Sequence, residues 1–331
     1  MRPPEPAGDL PPGHTWRRIT LADVPAAARL VAAYDLAHTG ESVGAQADIA
    51  ADLASSEIDL ATGSWLVLDA DGSPCALGAA FVDVTGREVY VDAYVLPDGE
   101  HAAALARWVV GRAVTQAAVE AAAAGGDGWT AGAGCHRADA VIAAALRGAG
   151  MRRARTFLRY RADHDPAAPP AQADPGPGAV VRRVRTEGEA GRLDDLRALH
   201  RVLDTAFLDH YHPQARSYEE WLTYQREASG YAPDQWWLAE VDGAPAGGLV
   251  GSDRLADDNR GFIRSLGVLR EFRGRGLAKA LLRTAFADDI ARGRTATELG
   301  VDSESPTGAT HLYASVGMRP AHPIDYFERV L

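Results

Sequence analysis

Apolar and polar residues recur in the same order in the two halves of the chain. A short apolar strand and an amphipathic helix near residue 20 are matched by a strand at residues 181–185 and a helix from Leu193. Hairpin patterns follow at residues 64–78 and 235–249, where an Asp-Gly pair separates two apolar runs. Such a pair between apolar runs is a strong hairpin signal. The pattern predicts two copies of one design, each ordered strand, helix, hairpin, strand, helix, strand, helix, strand.

A segment without hydrophobic periodicity separates the two copies. Residues 165–178 are rich in Pro, Ala and Gly, which is typical of an exposed, semi-rigid linker. The chain has 331 residues, of which 47% are hydrophobic, enough for two separate cores. We therefore predict a disordered N-terminus at 1–14, a first domain at 15–164, the linker at 165–178 and a second domain at 179–331.

Composition narrows the possible partners. The net charge of -11 gives no basic face for a nucleic acid, and no stretch is long and apolar enough to cross a membrane. The N-terminus has no apolar core of a signal peptide, so we expect a cytoplasmic protein. Its two cysteines, Cys75 and Cys135, are too few and too isolated for a disulfide framework or a zinc site, and we expect no metal. The sequence does not decide between a monomer and a homodimer.

The most informative stretch is residues 268–283, which is typical of a strand, a glycine-rich turn and a helix that begins near Leu277. Gly274 and Gly276 let the backbone turn tightly and approach a ligand closely. The helix points unpaired N–H groups and a positive dipole end at the turn, a combination suited to phosphate. A dinucleotide motif would need a third glycine at Lys279, and a P-loop would need Gly-Lys-Ser/Thr. A plain surface turn stays open as the alternative.

A second pattern lies about thirty residues further on, in residues 297–318. An apolar strand leads to a helix that is predicted to begin near Pro306 and to end at Gly317. On this helix stand Ala309, Leu312 and Tyr313, in the arrangement Ala-x-x-Leu-Tyr-x-x-x-Gly-Met. Tyr on an amphipathic helix is often a core residue with its hydroxyl at the edge, and this interpretation of Tyr313 stays open.

Together the two patterns resemble the GCN5-related N-acetyltransferases (GNAT), and the tandem arrangement resembles mycothiol synthase and its relatives. The resemblance implies two tandem α/β (α+β) domains, each with a mixed, mostly antiparallel sheet flanked by helices. It implies acetyl-coenzyme A as co-substrate and gives Tyr313 the role of the acid that protonates the leaving thiolate. The family often has Asn where this chain has Pro306. Coenzyme A is expected on two runs of residues: Leu266, Gly267 and Val268 on the strand, and Arg273, Gly274, Arg275, Gly276, Leu277 and Ala278 in the turn.

The first copy lacks both features. When Val95 is aligned with Val268, the segment opposite the turn is residues 100–105, where Glu100 replaces the arginine and alanines replace the glycines. Leu146 stands opposite Tyr313 and has no proton to give. We therefore interpret the first copy as degenerate, with a role as scaffold or as part of a substrate cleft.

The general base and the acceptor site are less well determined. Amide formation needs a base, a donor for the acetyl carbonyl and an acid for the sulfur. We expect His210 or His212 as base, with Asp302 and Glu304 as alternatives. The substrate-binding candidates are Asp209, Tyr211 and Arg264, although for Arg264 a plain salt-bridged surface residue is the commoner case.

The sequence favours an enzyme that transfers acetyl directly to a primary amine of a small molecule, with the acceptor pocket between the domains. A protein N-terminus or lysine is the less favoured acceptor. The alternative class is a non-catalytic acyl-coenzyme A-binding or interaction protein. Retention of both Tyr313 and the glycine turn in one copy favours the enzyme.

Overall fold

A computed structural model describes residues 9–41, 46–97, 99–167, 174–208, 216–304 and 309–331. The chain forms two compact units, one of residues 1–157 with 322–331 and one of residues 158–321. Within the described residues, no helix is both long and apolar enough to cross a membrane.

The first unit has one sheet, with strand order β1-β2-β3-β4-β5-β12. Its strands β1 to β4 are antiparallel, β4 and β5 are parallel, and β12 is antiparallel to β5. The elements that contribute to it are β1 (Thr15–Arg17), α1 (Val24–Thr39), α2 (Gln46–Ala54), α3 (Leu60–Gly63), β2 (Ser64–Leu68), β3 (Pro74–Asp83), β4 (Glu88–Val95), α4 (Ala102–Ala123), β5 (Thr130–His136), α5 (Ala140–Gly148), part of β6 (Arg152–Asp163) and most of β12 (Arg319–Val330).

The second unit repeats this topology with strand order β7-β8-β9-β10-β11-β6. Strands β7 to β10 are antiparallel and β10 is parallel to β11. The elements are β7 (Ala179–Arg183), α6 (Glu189–Phe207), α7 (Tyr218–Glu227), β8 (Tyr231–Val241), β9 (Ala244–Ser252), β10 (Arg260–Val268), α8 (Leu277–Ala291), β11 (Ala296–Asp302) and α9 (Ala309–Ser315), with residues 158–163 of β6. The predicted fold class and both predicted hairpins are confirmed.

The last strand of each unit comes from the other half of the chain. Residues 158–163 of β6 belong to the second unit, whereas residues 322–331 belong to the first, where β12 pairs with β5 from Ile324 to Val330. The compact units therefore depart from the predicted division, which assigned everything before residue 165 to the first domain and everything after residue 178 to the second. The linker marks where one copy ends along the sequence, but a strand on each side of it packs with the other copy.

An ion pair between the first strand and the helical segment that follows it recurs in both units. In the first, Arg17 lies 2.5 Å from Asp23, and in the second Arg182 lies 2.7 Å from Asp195. Burial raises the pKa of Asp195, but hydrogen bonds from Arg182 and Arg185 outweigh burial and hold that pKa well below its usual range. The two pairs give a reference for aligning α1 with α6.

Candidate active site

Strands β10 and β11 diverge, and the opening between them defines the candidate site. Their parallel pairing runs from Arg260 opposite Ala296 to Ile263 opposite Leu299. Beyond that pair β10 continues to Val268 and β11 to Asp302. Among the described residues the two strands are not paired with each other there, and an extended ligand can hydrogen-bond to backbone groups at such an opening. The register of β10 against β9 also shifts between Ile263 and Ser265, which makes Arg264 the extra residue of a bulge.

The glycine turn follows directly from this opening. Gly274 and Gly276 have φ of 76° and 86°, a left-handed conformation that L side chains rarely adopt. Gly276 is also the N-cap of α8, which begins at Leu277 as predicted, and as a glycine it has no side chain that could cap the helix. A Cβ atom added at either glycine would meet nothing within 4 Å. The glycines are therefore required by backbone conformation and leave open space in front of the helix.

Two arginines flank the turn. The Nε of Arg273 donates to the carbonyl of Val268 at 3.1 Å, which ties the turn to the end of β10. Arg275 is exposed, and its guanidinium lies 5.4 Å from the ring centroid of Phe272. An uncapped helix N-terminus with cationic side chains beside open space fits the pyrophosphate of coenzyme A.

The predicted strand residues divide between the two faces of β10. Leu266 and Val268 pack against the core formed with α8. Gly267 faces α6, where an added Cβ would come within 2.8 Å of the Cβ of Ala206. A side chain at position 267 would therefore push α6 away from the opening.

Tyr313 lies in α9 and is 8% exposed. Its ring centroid is 5.4 Å from that of Tyr160, which β6 contributes. Burial, and secondarily the neighbouring Tyr160, raise the pKa of Tyr313 to about 12. A phenol with so high a pKa keeps its proton at neutral pH, as a general acid must.

Arg264 is half-buried, and its guanidinium donates to the carbonyl of Ser229 at 2.7 Å and to the hydroxyl of Ser252 at 3.3 Å. These contacts fix the bulge residue to the start of β8 and the end of β9. The two contacts therefore hold Arg264 to neutral groups of the protein itself. Substrate binding by Arg264 stays a prediction.

The candidate bases have different positions. Asp302 is buried at the end of β11, and its Oδ1 accepts a hydrogen bond from the backbone N–H of Glu304 at 2.9 Å. Glu304 itself is exposed. The remaining candidates, Asp209, His210, Tyr211 and His212, lie outside the described residues, as does Pro306.

Sequence reasoning missed Tyr160 and a buried ionic group at the base of the opening. Glu298 is 1% exposed and lies 2.5 Å from Arg260 and 3.6 Å from Arg159. A charged residue within an apolar strand signals a buried partner. The partner Arg159, like Tyr160, precedes the linker, and no local pattern connects it with β11.

In the first unit the corresponding opening is filled by side chains. The pairing of β4 with β5 also ends early, at Tyr90 opposite Gly132. When α1 is aligned with α6 on Asp23 and Asp195, Tyr34 stands at the place of Ala206. When β4 is aligned with β10 on Val95 and Val268, Tyr94 stands at the place of Gly267. The ring centroids of Tyr34 and Tyr94 are 5.2 Å apart.

Polar contacts fix the side chains that fill the opening of the first unit. The Tyr34 hydroxyl donates to Asp139 at 2.8 Å, and the Nε2 of His136 lies 3.0 Å from Asp35. All four of these side chains are buried. Tyr34 and Asp35 lie in the second half of α1, His136 ends β5, and Asp139 is the N-cap of α5.

The strand-to-helix turn of the first unit is shorter than the predicted alignment assumes. Its helix α4 begins at Ala102 with His101 as N-cap, whose φ is -105°. Aligning the two helix N-caps places His101 opposite Gly276 and Gly99 opposite Gly274, so this turn is two residues shorter than a count from Val95 implies. It contains a glycine, but it lacks the left-handed cap.

Comparisons with known proteins agree with this geometry. Residues 196–318 match the model of the Acetyltransferase (GNAT) family. A GCN5-related N-acetyltransferase from Sphaerobacter thermophilus superimposes with a TM-score of 0.79 at 27% identity, covering 97% of this chain and 96% of the other. A tandem GNAT protein from the clavulanic acid biosynthesis pathway has a TM-score of 0.67 at 17% identity, covering 96% of this chain and 98% of the other, and shows the shared fold.

Among proteins of known name, an acetyltransferase of Pectobacterium atrosepticum is 43% identical over 61 residues, which are 18% of this chain and 41% of that relative's length. Residues 196–318 belong to the GNAT family of acetyltransferases, and the chain has the tandem GNAT fold. The predicted family and tandem arrangement are thereby confirmed. The likeness to mycothiol synthase stays a prediction.

Proposed function

We propose that the second unit transfers acetyl from acetyl-coenzyme A directly to a primary amine of a small molecule. The observation that carries this proposal is that three features occur together in the second unit. The opening between β10 and β11 leads at one end to the uncapped N-terminus of α8, and Tyr313 belongs to the same core as both strands and the helix.

Binding of acetyl-coenzyme A follows from these features. The N–H groups of the first turn of α8, together with Arg273 and Arg275, hold the pyrophosphate. The pantetheine arm lies along β10 from Leu266 to Val268, where the backbone is not paired with β11 among the described residues. A backbone N–H of this segment donates to the acetyl carbonyl and stabilises the oxyanion of the tetrahedral intermediate.

Proton transfer then completes the reaction. A base removes one proton from the ammonium so that the free amine can attack the thioester carbonyl. The C–N bond forms, and the nitrogen, now positively charged, loses its second proton. The tetrahedral intermediate collapses with cleavage of the C–S bond, Tyr313 gives its proton to the thiolate, and the proton lost by the nitrogen restores the phenol. Asp302 is the described carboxylate best situated as base, because it is buried at the β11 side of the opening. His210 and His212 stay alternative bases.

The decisive experiment measures free coenzyme A thiol during incubation of the full chain with acetyl-coenzyme A and a panel of primary amines. We expect amine-dependent thiol release above the hydrolysis rate, together with an acetylated product of the expected mass. Coenzyme A binding without amine-dependent release from small molecules or peptides would instead support the non-catalytic binding protein. Release with peptides alone would identify a protein acetyltransferase.

A further inference from the structure

The face of the second unit's sheet opposite α8 carries polar side chains where β10 and β11 separate. Ser252, Phe262 and Glu298 are register partners on β9, β10 and β11, and Phe262–Glu298 is the last pair but one before the opening. The neighbours of Phe262 on β10 face α8, because an added Cβ at Gly261 would collide with a side chain of that helix and Ile263 packs in its core. Successive strand residues point to opposite faces, so Phe262 and its register partners face away from α8.

Three arginines contact these side chains through neutral groups. The guanidinium carbons of Arg159 and Arg254 lie 5.2 and 5.1 Å from the ring centroid of Phe262. Arg264, the bulge residue, donates to the hydroxyl of Ser252 at 3.3 Å. Arg254 and Arg264 are half-buried, so solvent reaches part of each side chain. These contacts direct three positive charges to one part of the face.

Two further arginines pair with the carboxylate of Glu298, which is buried. Arg260 lies 2.5 Å and Arg161 4.0 Å from it. Each also pairs with an exposed acid, Arg260 with Asp258 and Arg161 with Asp163, at 2.8 Å in both cases. The five arginines form what we call the arginine row: Arg159, Arg161, Arg254, Arg260 and Arg264. In these described contacts the arginine row combines five guanidinium groups with three carboxylates, of which Glu298 is the buried one.

The first unit has the opposite charge at the matching positions. Strand register and the count from Met151 and Met318 set Asp83, Glu88 and Glu328 opposite Arg254, Arg260 and Arg161, respectively. Tyr326 stands opposite Arg159, and its hydroxyl donates to Glu88. Three arginines of the unit that has Tyr313 and the glycine turn thus correspond to acids in the unit that lacks them. The shared topology therefore does not require positive charge on this face.

Open space connects the arginine row with the opening. Glu298, Gly300 and Asp302 alternate along β11 and share the face opposite α8, at about 7 Å per step. Gly300 is exposed, and a Cβ atom added there would meet nothing within 4 Å. Asp302, the proposed base, therefore lies across this space from the arginine row. A molecule whose amine lies at Asp302 can extend over Gly300 toward the guanidinium groups.

From these observations we infer that the acceptor is an anionic amine, in which a short carbon chain separates a carboxylate or phosphate group from the reacting primary amine. The arginine row binds the anionic group, with Arg254 in direct contact, since guanidinium groups bind both anions through parallel hydrogen bonds. This inference rests on the proposed function, whose substrate class it specifies.

The test compares amines in pairs that differ in the anionic group. The pairs are 4-aminobutyrate with 4-aminobutanamide, 6-aminohexanoate with 6-aminohexanamide, and O-phosphoethanolamine with ethanolamine. In the pair with the fastest turnover, we expect kcat/KM of the parent protein to be at least about tenfold higher for the anionic member, the effect of one charge-assisted contact. Preference in an aminoacyl pair identifies a carboxylate as the bound group, and preference in the ethanolamine pair identifies a phosphate.

Arg254→Gln should abolish this preference by raising KM for the anionic member, with kcat and the neutral member unchanged. Arg254→Lys keeps the charge and should retain part of the preference. Arg192→Gln, at an exposed arginine of α6, is the matched control and should change neither member. Titration of each variant with coenzyme A checks that its second unit is folded.

Equal kcat/KM for both members of that pair in the parent would overturn the inference, and so would a preference that survives Arg254→Gln. Absence of transfer to every amine would overturn the proposed function instead. In that case saturation-transfer NMR of 6-aminohexanoate and O-phosphoethanolamine with the full chain still decides about the arginine row. At least one of the two should bind to the parent, and neither should bind to the Arg254→Gln variant.

Discussion

The two units share a strand order and differ in the few places where coenzyme A would lie. Strand β10 has nine residues, and its pairing with β9 shifts in register at the bulge residue Arg264. Strand β4 has eight residues and pairs with β3 without a shift in register. The second unit has Gly267 and Ala206 at its opening, and the first has Tyr94 and Tyr34. One topology therefore accommodates small residues at the opening in one unit and two tyrosines in the other.

The final helix and strand show the same contrast. Counting from Met151 and Met318, Tyr313 corresponds to Leu146 and Tyr160 to Phe327. In the first unit both positions belong to the hydrocarbon core and are fully buried. In the second unit both carry a phenol hydroxyl. The fold therefore forms with or without a hydroxyl at these two positions.

The largest expected effect comes from the choice of the residues at which a fragment of the second unit begins and ends. A fragment of residues 158–321 retains the compact second unit and should unfold cooperatively and bind coenzyme A. A fragment of residues 178–331, which follows the sequence copy, lacks the β6 residues beside β11 and should lose both properties. Circular dichroism melting and calorimetric titration measure the two outcomes. Equal affinity of both fragments would show that β6 does not complete this unit.

Next in size is the effect of Gly276→Glu, which should reduce coenzyme A affinity by at least about a hundredfold. The substitution places a carboxylate in front of the helix N-terminus and strains a left-handed residue, at a cost of about 1–2 kcal/mol. Calorimetry of the full chain gives the affinity. Gly99→Glu, at the exposed turn of the first unit, is the matched control and should bind like the parent. Loss of affinity in that variant as well would assign a coenzyme site to both units.

Tyr313→Phe should lower kcat about ten- to a thousandfold while coenzyme A affinity stays within about twofold. The ring and its contact with Tyr160 remain, and only the proton is removed. Steady-state kinetics on a good amine acceptor measure the change. Tyr224→Phe, at an exposed tyrosine of the same unit, controls for the loss of a hydroxyl. A kcat within twofold of the parent would make Tyr313 a structural residue like Leu146.

The smallest expected effect concerns the packing of the open cleft. Gly267→Ala brings a Cβ to 2.8 Å from that of Ala206 and should destabilise the second unit by about 1–3 kcal/mol. Gly300→Ala, on β11, meets nothing within 4 Å and should cost less than 1 kcal/mol. Denaturant unfolding measures both. Equal stability of the two variants would mean that α6 yields easily and that Gly267 does not set the cleft width.

The sequence predicts the parts of this molecule that local patterns encode. Asp-Gly pairs mark both hairpins, and the two glycines mark the start of α8 at Leu277. Contacts between residues distant along the chain leave no such local mark. Nothing near Tyr160 indicates that it packs against Tyr313, and nothing near Glu298 identifies Arg260 and Arg159 as its partners.

Alignment of the two copies by residue count also has a physical limit. It assumes loops of equal length, so it placed Glu100 opposite Arg273 although the turn of the first unit is shorter. The observed first residues of α4 and α8 correct this alignment. The roles of Asp209 to His212 depend on a segment outside the described residues and stay predictions.

The exchanged last strands have a consequence for how the protein is made on the ribosome. Synthesis proceeds from the N-terminus, so β5 exists long before Ile324 to Val330, the residues that pair with it. Until they emerge, its outer edge offers unpaired backbone groups to any extended segment nearby. A translation product that stops before residue 322 cannot complete its first unit, and such truncated chains should be poorly soluble even though nearly all of that unit's sequence is present.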